Sequence, residues 1–413
     1  MFVDRLSAYS SWVLGVVLVV GCGAEETADD TTGGASEATS TAGEEGDGDG
    51  DGDGDGDVPA DVPGCGDSVL VERPSDLTAR GPWSIGTRSL QVAGRVAEIW
   101  YPHALDGTGG PPMGKVYDPR TKLPPSQQGL IPDEKVPFQV STATDEAPID
   151  TAHGPYPVIV YVHGTAAWAT VSLTQVEHWA SRGFVVVGMD HPGLFLGDSL
   201  ALVCPDDPTG SQDLSGDTDA LLAALSAGTD GLDFAQPHLD MTRVGVVGHS
   251  AGGSAVANYG DKAGVRVIVP MASGGPVQVA NEVESVLFLG GEADTVVAYS
   301  STVSAYESSV SGKHLVGMAN AGHLVFSDIC ELKNDDGQDI LQIAQEVGVC
   351  GAQFASFLFD CNPSYVDPNV GNNIINFATS AVFEGVLMCS DAEAQLAGIE
   401  SAFPEVSEYR GEP

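Results

Sequence analysis

Residues 243–259 read RVGVVGHSAGGSAVANY, and the way this stretch turns decides how the rest of the chain is understood. Its first five residues are mainly β-branched and apolar, the composition of a strand buried on both faces of a parallel sheet. From Ser254 to Tyr259 the chain can continue as a helix. Between the two lies Gly248-His249-Ser250-Ala251-Gly252, a serine with a glycine two residues to either side. Glycine permits the tight, strained strand-to-helix turn that lifts a hydroxyl clear of the sheet, so Ser250 is a candidate nucleophile. With 52 Gly and 34 Ser in 413 residues, Gly-x-Ser-x-Gly arises by chance roughly half a time in such a chain. The flanking elements, and partners elsewhere, have to carry the assignment.

Those elements alternate. From about residue 95 onward strand-like and helix-like stretches succeed one another, the pattern of a mostly parallel sheet with helices on its faces. Residues 96–101 (VAEIWY) suggest an early antiparallel strand and 157–162 (PVIVYV) a fully buried one, with a long Pro-, Gly- and Gln-rich insertion at 104–148 between them. A helix is expected over 171–182, a strand over 184–189, a second helix over 217–227, and three more strands at 265–269, 285–289 and 314–318.

A serine hydroxyl attacks an acyl group near neutral pH only with a base, a group that orients the base, and donors for the developing oxyanion. The strand at 285–289 runs into Gly290-Gly291-Glu292-Ala293-Asp294, which sets Asp294 on a loop at the carboxyl edge of the sheet, where open α/β sheets carry their sites. Glu292 is the rival acid; Asp294 lies deeper in the turn. After the strand at 314–318 comes Asn320-Ala321-Gly322-His323, so His323 falls on the next loop at that edge. The order Ser, Asp, His suits this architecture. One oxyanion donor is the N–H of Ala251 at the helix start. The second is expected from His163-Gly164-Thr165, with the Thr165 N–H as candidate and His163 shaping the loop. His249 is expected to pack, the Asp190-His191-Pro192-Gly193 turn to be structural, and Trp168 either to wall an acyl pocket or to pack.

Composition narrows the partners. Residues 23–57 carry thirteen acidic side chains, no basic one and almost no large apolar residue, so they cannot offset ordering entropy by burial and should form a disordered tether. Asp47, Asp49, Asp51 and Gly52 imitate half of an EF-hand loop, but the twelfth position is Val58 rather than a bidentate Glu. Without this segment the formal charge moves from −42 to −29, which argues against nucleic acid and anionic membrane faces as partners. Beyond Cys22, the six cysteines Cys65, Cys204, Cys330, Cys350, Cys361 and Cys389 suggest three disulfides; six thiols allow fifteen pairings and the spacing chooses none. Four of them follow residue 329, so a stapled C-terminal part is expected. Metal-ligand spacing is missing, and no metal or organic cofactor is called for.

Two resemblances extend this reading. Arg5, the apolar run 12–20 and Leu18-Val19-Val20-Gly21-Cys22 resemble a bacterial lipoprotein signal and lipobox. That resemblance implies cleavage before Cys22, lipidation of Cys22, and a mature protein anchored to a bacterial membrane and facing outside the cytoplasm. The expected organisation is a signal peptide at 1–21, a tether at 22–64 and one α/β domain at 65–413. Further along, Trp83-Ser84-Ile85-Gly86-Thr87-Arg88, Ile99-Trp100-Tyr101-Pro102, His163-Gly164, Gly248 to Gly253, Asp294 and Gly322-His323-Leu324-Val325-Phe326-Ser327-Asp328 resemble α/β-hydrolases of the platelet-activating-factor acetylhydrolase and dienelactone-hydrolase-like group, near secreted polyester hydrolases. The resemblance spans roughly residues 80–395 and implies a triad of Ser250, Asp294 and His323 with Thr165 and Ala251 as oxyanion donors. Dienelactone hydrolases use a cysteine where this chain has Ser250, so their substrate does not transfer. The expectation is an extracytoplasmic serine esterase acting on a small-molecule, lipid or polyester ester. A serine peptidase of the same fold and a non-catalytic surface binding module are the alternatives.

Overall fold

The computed structural model describes residue 65 and residues 71–105, 114–204 and 207–412. The expected signal peptide, Cys22 and the acidic tether lie outside the described residues. Twelve strands occur among the described residues: β1 (Ser84–Val92), β2 (Arg95–Ala104), β3 (Val116–Tyr117), β4 (Gln139–Val140), β5 (Thr144–Asp145), β6 (Tyr156–Val162), β7 (Val185–Met189), β8 (Leu239–His249), β9 (Val265–Met271), β10 (Ser285–Gly291), β11 (Lys313–Met318) and β12 (Val406–Glu412). Ten of them form one sheet in the order β12-β11-β10-β9-β8-β6-β7-β2-β1-β5, while β3 and β4 pair separately. Strands β6 to β11 run parallel. Strand β2 is antiparallel to both β7 and β1, β12 is antiparallel to β11, and the short edge strand β5 pairs in parallel with β1.

The parallel strands are apolar at successive positions because both faces are covered. Along β6, Val158, Val160 and Val162 enter the core on one face, and Ile159 and Tyr161 the core on the other. In β10, Leu287 and Leu289 divide from Val286 and Phe288 in the same way. One face is covered by α1 (Leu173–Ser181) and, later in the chain, the fifteen-residue helix at Pro368–Val382, with Trp179 edge-on to Phe383. Two further helices, at Leu214–Ala227 and Tyr299–Glu307, serve the opposite face.

Between them the chain forms α2 (Leu196–Ala201), α3 (Leu214–Ala227), α4 (Ala251–Val256), α5 (Tyr299–Glu307), α6 (Ile340–Val347) and α7 (Pro368–Val382). Helix α3 starts before the expected Asp217 because Asp213 caps it, accepting from the Gly216 N–H at 3.0 Å. Helix α4 begins directly after Ser250 and stops at Val256, short of Tyr259. Strand β12 was not expected: VSEYRGE is polar and half-exposed, as suits the edge of a sheet. Helix α7 lies in the C-terminal stretch where no helix was expected, and it is mostly buried against the sheet.

A third, smaller core sits where three insertions meet. Leu123, Ile131 and Val136 of the 104–148 insertion pack with Leu200 of α2, Ile343 of α6 and Val349. Lys122 pairs with Asp190 at 2.6 Å, Ser126 donates to Asp207 at 2.6 Å, and the Cys350 N–H donates to Gln127 at 3.0 Å. The Cys204–Cys350 disulfide closes this cap covalently. Cys65–Cys389 and Cys330–Cys361 are the other two bridges. Only the last is internal to the region after residue 329, so two of the three tie the C-terminal part to earlier chain rather than stapling it to itself.

Candidate active site

The strand order reverses between β6 and β8. The chain moves from β6 outward to β7, then returns to the other side of β6 to lay down β8. At such a switch point the loops leaving two neighbouring strands diverge and open a crevice at the carboxyl ends. Val162 of β6 is in register with Gly248 of β8, so the turn at Ser250 and the loop at 163–168 emerge side by side.

Ser250 takes φ 58° and ψ −118°, a backbone conformation that costs a residue with a side chain about 1–3 kcal/mol. The glycines explain how the turn is tolerated. A Cβ on Gly252 would lie 2.2 Å from the Val162 carbonyl oxygen, and one on Gly248 would lie 2.4 Å from the Gly252 carbonyl oxygen. Strand end, turn and helix start are therefore packed backbone on backbone. The Ser250 N–H donates to the Met271 carbonyl at 2.9 Å, which holds the turn to the end of β9.

Gly164 brings the neighbouring loop against the serine: a Cβ there would stand 3.1 Å from Ser250 Cβ. The loop's course is held by His163, whose Nδ1 donates to the Gly164 carbonyl at 2.8 Å while its Nε2 accepts from the His191 N–H at 3.1 Å. Burial, then the neighbouring His191, pushes His163 down to about 3, so it keeps this neutral tautomer. Ala166 adopts φ 57° and donates to Leu194 at 2.9 Å, which leaves Thr165 exposed at the tip of the turn. Neither the Thr165 nor the Ala251 N–H donates to a group among the described residues.

Asp294 and His323 meet on the loops after β10 and β11. His323 Nδ1 donates to Asp294 Oδ2 at 2.7 Å, and Asp294 Oδ1 accepts from the N–H groups of Val296 and Val297 at 2.8 and 2.7 Å. Both side chains are buried, whereas Glu292 is exposed and donates only through its backbone, to Met318. The Ala293 N–H bonds to Ala321 at 3.0 Å and so joins the two loops. His249 lies between the serine turn and this pair. Its ring is 4.7 Å from that of His323, and its Nε2 donates to the His323 carbonyl at 3.0 Å. Burial first, and His323 second, pushes His249 well below the ordinary histidine range, so it stays neutral and serves as a spacer. Among the described residues no hydrogen bond joins Ser250 Oγ to His323; such bonds are commonly long in free enzymes and tighten with substrate.

The remaining candidates are structural. Trp168 is 1% exposed and belongs to the sheet-face core. His191 is buried against Asp217 at 3.2 Å, and Asp190 divides its oxygens between the Ala169 N–H and Lys122. The loop beyond His323 is anchored by residues outside the expected site. Asp328 accepts from the Thr174 N–H at 2.8 Å, capping α1 from a distance of 154 residues. Residues 360–366 also lie against the His323 loop. Neither has a local sequence signal, because both are contacts between distant segments.

Sheet order, the turn at Ser250 and the loops after β10 and β11 together define an α/β-hydrolase. Residues 144–333 match the PET hydrolase-like family, a span that runs from β5 past β11 and contains Ser250, Asp294 and His323. This similarity makes carboxylic-ester hydrolysis the general chemistry of the fold in this chain. No curated protein matches the chain.

Proposed function

We propose that the protein is a serine esterase that works through an acyl-enzyme. Ser250 Oγ attacks the ester carbonyl, His323 Nε2 takes the hydroxyl proton and returns it to the departing alcohol, and Asp294 holds the Nδ1–H tautomer and offsets the imidazolium charge. The Thr165 and Ala251 N–H groups receive the oxyanion. Water, deprotonated by the same imidazole, then releases the acid. The observation that carries this reading is the buried His323–Asp294 bond at the sheet edge that also bears the strained serine turn.

The similarity to PET hydrolase-like proteins directs the choice of substrate to aryl and polyester esters. The lipobox-like start of the chain adds the proposal that the enzyme is tethered through Cys22 outside the cytoplasm. Turnover of a p-nitrophenyl ester by the purified Ser250→Ala variant tests the assignment: a loss of about three orders of magnitude or more is expected. Unchanged turnover overturns it. Labelling of the full-length protein with palmitate in a bacterial host tests the anchor, and its absence in Cys22→Ala cells only is the expected result.

A further inference from the structure

We infer that Asp360 is a positioning residue that fixes the loop of the catalytic acid to the loop of the catalytic base. The inference rests on the esterase reading above. Asp360 Oδ2 accepts from Thr295 Oγ1, next to Asp294, at 3.1 Å and from the backbone N–H of His323 at 3.4 Å. Its Oδ1 accepts from Tyr365 Oη at 2.8 Å. One carboxylate thus adds a third link between two loops that also meet through the Ala293–Ala321 backbone bond and the Asp294–His323 pair itself.

The segment carrying Asp360 is attached to the His323 loop at both ends. Cys361 is bonded to Cys330, seven residues beyond the histidine. At the other end Asn320 Nδ2 donates to the Ser364 carbonyl at 2.6 Å, and the Val366 N–H donates to the Asn320 carbonyl at 2.9 Å. In between, the Tyr365 ring lies on Gly322, where a Cβ would come within 2.2 Å of the ring. Desolvation, and the Asp360 carboxylate after it, pushes the Tyr365 phenol up to about 12, so it remains a donor to Asp360 through neutral pH. Because the segment 360–366 is held to the base loop covalently and by hydrogen bonds, the Thr295–Asp360 contact transmits that placement to the acid loop. A positional error near 1 Å costs about a hundredfold in rate, so a partial loosening of this bridge should cost about tenfold.

Both acylation and deacylation pass a proton through His323. A loosened acid–base pair therefore lowers kcat and leaves KM nearly unchanged, whereas loss of a binding contact raises KM. The experiment measures kcat and KM on a p-nitrophenyl ester for wild type, Asp360→Ala, Asp360→Asn and Thr295→Val, each normalised to sites titrated by a fluorophosphonate. Asp360→Ala should lower kcat about tenfold with KM within twofold, and Asp360→Asn, which keeps an oxygen acceptor, should recover most of the loss. Thr295→Val, an exposed change that leaves Asp360 in place, should lower kcat about threefold and keeps the test open if Asp360→Ala does not fold. Wild-type kcat in Asp360→Ala or in Thr295→Val, or equal damage in Asp360→Ala and Asp360→Asn, overturns the inference. A Ser250→Ala variant that retains turnover instead overturns the esterase reading itself.

Discussion

His323 and Asp294 are joined at 2.7 Å through Nδ1 and Oδ2, and the second oxygen of Asp294 is occupied by two backbone N–H groups. With one oxygen held by two backbone N–H groups, the carboxylate has one orientation to offer the imidazole. Asp294→Asn would present an amide to the ring and favour the wrong tautomer; kcat should fall by about three to four orders of magnitude. Glu292→Gln, at an exposed side chain on the same turn, should stay within twofold of wild type. Steady-state kinetics on the two variants side by side separate the acid from its rival.

Gly252 allows the serine turn to close on β6. A methyl group there would overlap the Val162 and His163 carbonyl oxygens, at 2.2 and 2.6 Å, and neither backbone group can swing aside. Gly252→Ala should destabilise the domain by roughly 2–4 kcal/mol, or displace Ser250 enough to abolish turnover. Urea unfolding and ester turnover of this variant give the check. A variant with wild-type values in both would contradict the described packing.

His178 sits buried in α1 with Nε2 against Ser380 Oγ at 3.0 Å. Burial, then the charges of Arg182 and Arg80, pushes it down to about 3. Unfolded, it titrates near the ordinary value of about 6.5. Between these values the unfolded chain binds a proton that the folded chain refuses, so this stabilising contribution is complete above pH 6.5 and is lost as pH falls towards 3. His178→Gln should therefore flatten the decline in unfolding free energy between pH 6 and pH 4 by about 1.4 kcal/mol per pH unit. Urea titrations at several pH values measure the slope.

The cap is closed by a disulfide between residues 146 apart in sequence. Constraining so long a loop in the unfolded chain stabilises the native state by roughly 4–5 kcal/mol in the chain-entropy account. The double change Cys204→Ser with Cys350→Ser should lower Tm by roughly 5–10 °C, read by calorimetry. An unchanged Tm would mean that the three insertions hold together through their small core alone.

Legibility in the sequence followed the physics of burial. Strands β6 to β11 stood out because runs such as PVIVYV and SVLFL are apolar at every position, as strands covered on both faces must be. Asp294 and His323 stood out because each closely follows such a strand, which sets the sheet edge on which it falls. Strand β12 stayed hidden because an edge strand carries polar residues, and helix α7 because its stretch drew notice only for its cysteines. The disulfide pairing, the cap and the bridge at Asp360 depend on which distant segments meet, and local pattern carries no record of that. The bridge and the α2 and α6 parts of the cap come from loops that follow the carboxyl ends of parallel strands, where the sheet constrains the chain least, and the 104–148 insertion reaches them from the chain between β2 and β6.

The proposed mechanism stands on Ser250 as the acylated nucleophile. Incubation of the intact protein with a fluorophosphonate, followed by whole-protein and peptide mass measurement, tests it directly. One adduct is expected, on the peptide containing Ser250, and none in Ser250→Ala. An adduct on another serine, or equal labelling of the Ser250→Ala variant, would contradict it.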